Sequence, residues 1–190
     1  MMDKIILADV DGVLLNWIHS FEIWMHKIGH TETVDGEYEI HDRYDMCPDK
    51  TRKLIDTFNK STIIETLPPM FDSIKYIKKL HEEHGYVLHC ISAFPLDSKA
   101  MRLENLKNLF GNTVIERLEC TETSKNKYPI LKEYQDSGIP WVEDHPSNSM
   151  MGYELGLDCY LLNHDYNKHH ESIDDVKRIN NWKEFYELVV

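Results

Sequence analysis

Two carboxylates, Asp9 and Asp11, stand either side of Val10 at the end of an apolar run, Ile5-Ile6-Leu7-Ala8, and Gly12 follows them directly. Three further positions repeat the plan of an apolar run that ends in a reactive group. Ser92 follows LHCI, and the acid pair Glu143–Asp144 follows IPWV. Lys125 and Lys127 stand ahead of an amphipathic segment that leads to that pair. If these runs are strands of one parallel sheet, four acids, a hydroxyl and a lysine meet at its carboxyl edge, where open α/β sheets bind ligands. Carboxylates at close range raise one another's pKa, so a hard divalent cation with oxygen ligands is the natural complement. Mg²⁺ fits best where a phosphate is also present. With a metal and a lysine absorbing charge, one carboxylate oxygen can attack phosphorus and form an aspartyl phosphate. An acid two residues along can protonate the leaving oxygen and then activate water. Gly12 lets the backbone turn sharply away.

The elements that must position these groups can be read from hydropathy. Short apolar runs alternate with amphipathic segments, which predicts an α/β fold with a parallel sheet. The strand candidates are 4–10, 86–92, 113–115, 140–143 and 158–162; most are unalternating, as strands buried on both faces should be. Helices are expected over 72–84, 98–110, 128–137, 148–155 and 181–189, the first four followed closely by a glycine. From Asn16 to Pro69 no strand pattern occurs. Trp17, Ile18, Phe21, Trp24, Met25 and Ile28 form a stripe at helical spacing; a polar stretch 29–49 and a second helical pattern 51–64 follow, and Pro68–Pro69 closes the segment. Residues 16–69 are therefore read as a helical cap inserted after the first strand, on a core of 1–15 and 70–190. Trp17 follows the Asp pair closely enough to face a bound ligand, whereas Phe21 and Trp24 are expected to pack the cap onto the core.

Composition narrows the function classes. The 190 residues carry a net charge of -12, which disfavours general nucleic-acid binding. The four cysteines form no C-x-x-C pair and read as core thiols of a reducing compartment. The N-terminal residues do not form a signal peptide, and no apolar run is long enough to span a membrane, so a cytoplasmic location is expected. D-x-D-G also opens calcium loops, but that alignment puts Leu7 and Ile18 at the first and last ligand positions, where neither can coordinate. His164, His169 and His170 lack a ligand spacing and read as a solvated loop. Lys127 is favoured over Lys125 as the functional lysine because Lys127, Ile130, Leu131 and Tyr134 start one amphipathic helix, although the two could exchange roles.

DVDGV, the serine after an apolar strand, the lysine before a helix and the late Glu-Asp pair occur in the order of the haloacid dehalogenase-like (HAD) phosphohydrolases, which the sequence resembles over most of its length. DVDGVLLNW, LPPMFDSIKYIKKL and GLDCYLLNHDYN resemble the 5'-deoxyribonucleotidase branch and its short bacterial and phage relatives. That resemblance implies a Rossmann-like three-layer core, a small helical cap and a Mg²⁺-dependent phosphomonoesterase. It implies Asp9 as nucleophile and metal ligand, and Asp11 as acid/base with its carbonyl on the metal. Ser92 and Lys127 would hold the phosphoryl group, Asp144 would complete the metal site with Glu143 beside it, and Trp17 would help hold a base. His145 stands where the nucleotidases place an arginine beside the phosphate, and is carried as a substrate-binding candidate. A small sugar or metabolite phosphatase, or a non-catalytic binding domain of the same fold, are the alternatives.

Overall fold

The computed structural model describes residues 4–122, 126–170 and 175–190; Lys125 lies outside the described residues. β1 (Lys4–Ala8) leads into a helical segment of α1 (Trp17–Lys27), α2 (Ile40–Arg43) and α3 (Pro48–Asn59), closed by a 3-10 turn over Thr62–Thr66. α4 (Ser73–His84), β2 (Tyr86–Ala93), α5 (Lys99–Phe110) and β3 (Ile115–Thr121) follow. Then come α6 (Tyr128–Leu131), β4 (Pro140–Glu143), α7 (Pro146–Glu154), β5 (Asp158–Leu162), β6 (Lys177–Ile179) and α8 (Trp182–Val189).

The six strands form one all-parallel sheet in the order β3-β2-β1-β4-β5-β6. The chain first builds outward from β1 through β2 to β3, then returns to β4 on the other flank. The order therefore reverses between β1 and β4, the place where such sheets open a crevice. β1 is wholly internal: it pairs with β2 from Lys4↔Tyr86 to Ala8↔Cys90 and with β4 at Leu7↔Trp141 and Ala8↔Val142. Its alternate residues feed two separate cores, Ile6 and Ala8 on one face and Leu7 on the other. Burial on both faces is why the run reads as continuously apolar.

Differences from the sequence expectation follow from edges and turns. The third strand was expected at 113–115 but begins at Ile115 and runs to Thr121, through Glu116, Arg117 and Glu119. It is an edge strand, where charge is tolerated and the apolar signal is lost. β6, the opposite edge, has three residues and left no signal. The third helix starts at Pro48, a residue suited to a first turn, and the pattern to Ile64 breaks into a 3-10 turn. The helix expected over 128–137 keeps α geometry only to Leu131.

The two ends of the helical insert run side by side. The amide of Asn16 donates to the carbonyl of Pro68 and that of Met70 to Leu14, each at 2.8 Å. Asn16 also caps α1 through its side chain, 3.3 Å from the His19 amide. Inside the insert, Trp17 stacks on Phe21 with ring centroids 4.6 Å apart, and Phe58 meets both rings edge-on. Phe21 is fully buried and Trp24 packs beside it, as a packing role requires. Among the described residues no helix is long and apolar enough to cross a membrane.

Candidate active site

The loops after β1 and β4 carry the acids. Asp9 remains tied to the sheet through its amide, 2.9 Å from the carbonyl of Val142, so its side chain leaves the strand end in a fixed direction. Glu143 is the last residue of β4, and Asp144 begins the turn into α7. Asp9, Glu143 and Asp144 are all buried, and each offers a carboxylate oxygen within 4.8 Å of the others. Lys127 reaches into this trio from the turn before α6. Its Nζ lies 2.6 Å from Oδ1 of Asp9 and 2.7 Å from Oε2 of Glu143, and its carbonyl accepts from the amides of Ile130 and Leu131.

Each acid has a distinct set of donors. Oε1 of Glu143 accepts from the amides of Asp144 and His145, at 3.2 and 3.1 Å. The hydroxyl of Tyr166 donates to Oδ2 of Asp144, and Asn167 Nδ2 donates to the Asp144 carbonyl at 2.7 Å. Gly12 makes room for this: it has φ +86°, and a Cβ on it would overlap Oδ2 of Asp144. Nε2 of His164 donates to the Gly12 carbonyl at 2.8 Å, and its ring stacks on Tyr166. The loop after β5 thus braces the turn after β1.

The electrostatics follow from burial. Burial pushes the Asp9 carboxyl up to about 7, with Glu143 and Asp11 pushing the same way and Lys127 pulling against them. Burial, then Glu143 and Asp9, hold Asp144 well above the usual carboxylate range. Burial also opposes a charge on Glu143, yet Lys127 and the surrounding donors outweigh it and hold the group low. The ammonium of Lys127 is penalised by burial too, but Asp9 and Glu143 more than offset this and raise its pKa. Fully ionised, three carboxylates against one ammonium leave two uncompensated negative charges. Burial first, and this excess of negative charge with it, hold Asp9 and Asp144 above the usual carboxylate range.

Asp11 faces another partner. Both its oxygens accept from the guanidinium of Arg102, Oδ1 from Nη1 at 2.6 Å and Oδ2 from Nη2 at 3.1 Å. The hydroxyl of Ser92 lies 3.5 Å from Oδ2 of Asp11. Arg102 is fully buried on α5, with the face of Phe94 4.1 Å from its Cζ. It was not singled out from the sequence, where α5 reads through Met101, Leu106 and Leu109. Yet Arg102, Asn105, Leu106 and Phe110 are the buried residues of that helix, and a lone cation at core spacing was the available signal. Tyr166 and Asn167 had no such signal; they come from a loop that hydropathy leaves featureless.

Above the acids lies a cavity of about 620 Å³, lined by Asp9, Asp11, Lys127, Glu143 and Asp144 on the core side and by Trp17, Ile18, Ile40, Thr51, Ile55 and Asn59 on the helical side. The Nε1 of Trp17 donates to Oδ1 of Asn59 at 2.8 Å. Ser92 and His145 are not among the lining residues. His145 instead accepts from the Ser147 amide as the cap of α7, with its ring edge against Tyr38. Of the cysteines read as core thiols, Cys90, Cys120 and Cys159 are buried and free, whereas Cys47 is exposed.

No family model matches the chain. A 32.4 kDa protein of Enterobacteria phage T4, from the Gp30–rIII intergenic region, is 28% identical over 152 residues, which cover 75% of this chain and 54% of the phage protein. The chain thus spans about half the length of the curated relative it matches. Among solved structures, a predicted phosphoglycolate phosphatase from Haemophilus somnus matches with a TM-score of 0.69 at 10% identity, over 100% of this chain and 99% of that one. The HAD hydrolase YfnB of Bacillus subtilis, solved with bound magnesium, matches with a TM-score of 0.64 at 12% identity, over 100% and 99%. The six-stranded parallel sheet with helices inserted after its first strand is the haloacid dehalogenase-like fold.

Proposed function

We propose that the protein is a Mg²⁺-dependent phosphomonoester hydrolase that works through a phosphorylated Asp9. The observation that carries this reading is the bridging of Asp9 and Glu143 by the buried Lys127, with Asp144 alongside, at the ends of β1 and β4. The donor set fits a hard divalent cation: three buried oxygen acids whose excess of two negative charges equals the charge of one such ion. Asp9, Glu143 and Asp144 would hold it, and Gly12 leaves Asp144 the space to do so. When bound, the ion supplies charge neutralisation for the transferring phosphoryl group. The solved magnesium complex of YfnB, a protein of the same fold, supports this choice of metal.

The chain's own residues then divide the work. An oxygen of Asp9 attacks phosphorus and the leaving oxygen takes a proton from Asp11. Lys127 pairs with the transferred phosphoryl oxygens in place of its resting carboxylate partners. Ser92 and Lys127 are assigned to the phosphoryl group, with Lys127 taken over Lys125 as the phosphate-binding lysine. Residues 16–69 are assigned as the cap over a core of 1–15 and 70–190, and the location as cytoplasmic.

For the substrate we favour a nucleoside 5'-monophosphate over a small sugar phosphate. The cap side of the cavity offers an indole held between Phe21 and Phe58, with Ile18, Ile40 and Ile55, which suits a flat apolar base better than a hydroxyl-rich sugar. Phosphate release from deoxynucleoside and nucleoside 5'-monophosphates, sugar phosphates and an aryl phosphate tests the reading, with Mg²⁺ and with chelator. Metal-dependent release that Asp9→Asn abolishes is expected. Full activity in Asp9→Asn would overturn the mechanism; a preference for sugar phosphates would overturn the substrate.

A further inference from the structure

We infer that Tyr166 is a positioning residue that fixes Asp144 to offer a cation a single oxygen, and that this makes the site select Mg²⁺ over Ca²⁺. The inference rests on the metal-dependent reading above and deepens it. The Tyr166 hydroxyl donates to Oδ2 of the buried Asp144, and among the described residues no second donor reaches that carboxylate. The pair sits in a space without slack: a Cβ on Gly12 would overlap Oδ2 of Asp144 and lie 3.0 Å from the Tyr166 oxygen. The loop that carries the phenol is itself held. The His164 ring stacks on Tyr166 with centroids 4.8 Å apart, while its Nε2 donates to the Gly12 carbonyl at 2.8 Å. Asn167 is fully buried. Its Nδ2 donates to the carbonyls of Asp144 and Leu162, each at 2.7 Å, and its Oδ1 accepts from the His164 amide at 2.9 Å. Arg178 on β6 donates to the Asn167 carbonyl at 3.2 Å. Tyr166 therefore reaches Asp144 from a frame tied to β5, to β6 and to the turn after β1.

Two cations of equal charge ask different things of a carboxylate. Mg²⁺ is small and demands near-ideal octahedral geometry, which the narrow bite of a two-oxygen carboxylate ligand disturbs. Ca²⁺ is larger, gathers roughly six to eight oxygens in a flexible shell, and accepts carboxylates through one oxygen or both. Turning Asp144 so that both its oxygens face one ion would break its bond to Tyr166. The phenol thus withholds an oxygen that Ca²⁺ could use and takes nothing that Mg²⁺ needs, while it sets the direction of the oxygen that remains. The other two acids are restricted as well, but by charge and backbone: Lys127 engages Oδ1 of Asp9 and Oε2 of Glu143, and two amides engage Oε1 of Glu143. Only the restriction on Asp144 comes from a neutral side chain, so it can be removed without changing the charge of the site.

Thermal titration of the chelator-treated protein with magnesium chloride and with calcium chloride reads the affinity for each cation from the concentration dependence of the melting temperature. The native protein is expected to bind Mg²⁺ more tightly than Ca²⁺. In Tyr166→Phe, which removes one oxygen atom, Mg²⁺ affinity should fall roughly tenfold, as for other partners that orient a metal ligand, while Ca²⁺ affinity holds or rises. The ratio of the two affinities is the readout, because a merely structural role for Tyr166 would weaken both cations alike. Parallel loss of both, or an unchanged ratio in the folded variant, would overturn the inference and leave the metal site intact. Tighter binding of Ca²⁺ than of Mg²⁺ by the native protein would overturn it without any variant, which covers the case in which Tyr166→Phe fails to fold. A native protein whose melting temperature responds to neither cation would instead overturn the metal-dependent reading, and this inference with it.

Discussion

Replacing Asp9 by Asn should change the pH dependence of stability in a direction opposite to the usual loss of an ion pair. An aspartate has an unfolded value near 3.8, and burial brings the folded one to about 7. Above pH 4 the unfolded chain has released this proton while the native state still holds it. Native stability therefore falls as pH rises through this window, and the loss is complete only above the folded value. Integrated between pH 5 and pH 8, the linkage amounts to about 2–3 kcal/mol. Asn has the same shape, keeps an oxygen toward Lys127 and has no proton to lose. At 2–4 °C per kcal/mol for a chain of this size, the melting temperature of the variant should gain roughly 5–10 °C on the native protein between pH 5 and pH 8. Asp144 works in the same direction, since Asp9 is one of the charges that raise it. The assay is a pair of thermal melts in chelator and low salt at the two pH values. A gap between the two proteins that does not change with pH would refute the reasoning, because it would mean that Asp9 is ionised in the metal-free protein at no cost.

Adding Mg²⁺ should stabilise the native protein more at pH 8 than at pH 5, because protons and the cation compete for the same carboxylates; Asp144→Asn should lose most of that shift in a thermal titration. Lys127→Met should abolish phosphatase activity and destabilise the protein by about 3–5 kcal/mol at pH 8 in urea unfolding, because it strands Asp9 and Glu143 without their cation. Gly12→Ala places a methyl against Asp144 in a backbone conformation unsuited to alanine, so Mg²⁺-dependent activity should fall sharply, with a stability loss of about 1–3 kcal/mol. Trp17→Ala should raise KM for a nucleoside monophosphate about tenfold while leaving that for acetyl phosphate within twofold, as read from steady-state kinetics.

The buried strands were legible because burial on both faces leaves an unbroken apolar run. β4 and β5 fall where hydropathy puts them. The edges were not, since β3 and β6 carry charge where no second neighbour must be satisfied. The same distinction applies at the site. Asp9, Lys127, Glu143 and Asp144 could be found because each marks the end of an apolar run or the start of a helix, and the topology brings those ends together. His145 could not be placed by that logic. Its position after the acid pair suggested a ligand contact, but its Nδ1 is used to cap α7. Arg102, Tyr166 and Gly12 act through contacts 22 to 152 residues away in sequence. Nothing in local composition encodes those distances.

The arrangement holds two aspartates separated by one residue in different surroundings. Carboxylates this close, in one environment, would compete for one proton and one cation. Here the strand end sends Asp9 toward Lys127 and the buried trio, and sends Asp11 toward Arg102 on α5. Each acid is given its own cation, and the two cations come from opposite sides of β1: Lys127 from the connection that leads to β4, Arg102 from the helix that follows β2. Gly12 then turns the chain so that no side chain intrudes between Asp144 and the acids it faces. The division of partners therefore depends on β1 being central. A strand at the edge of the sheet would have a crossover on one side only, and one of the two acids would lack its partner.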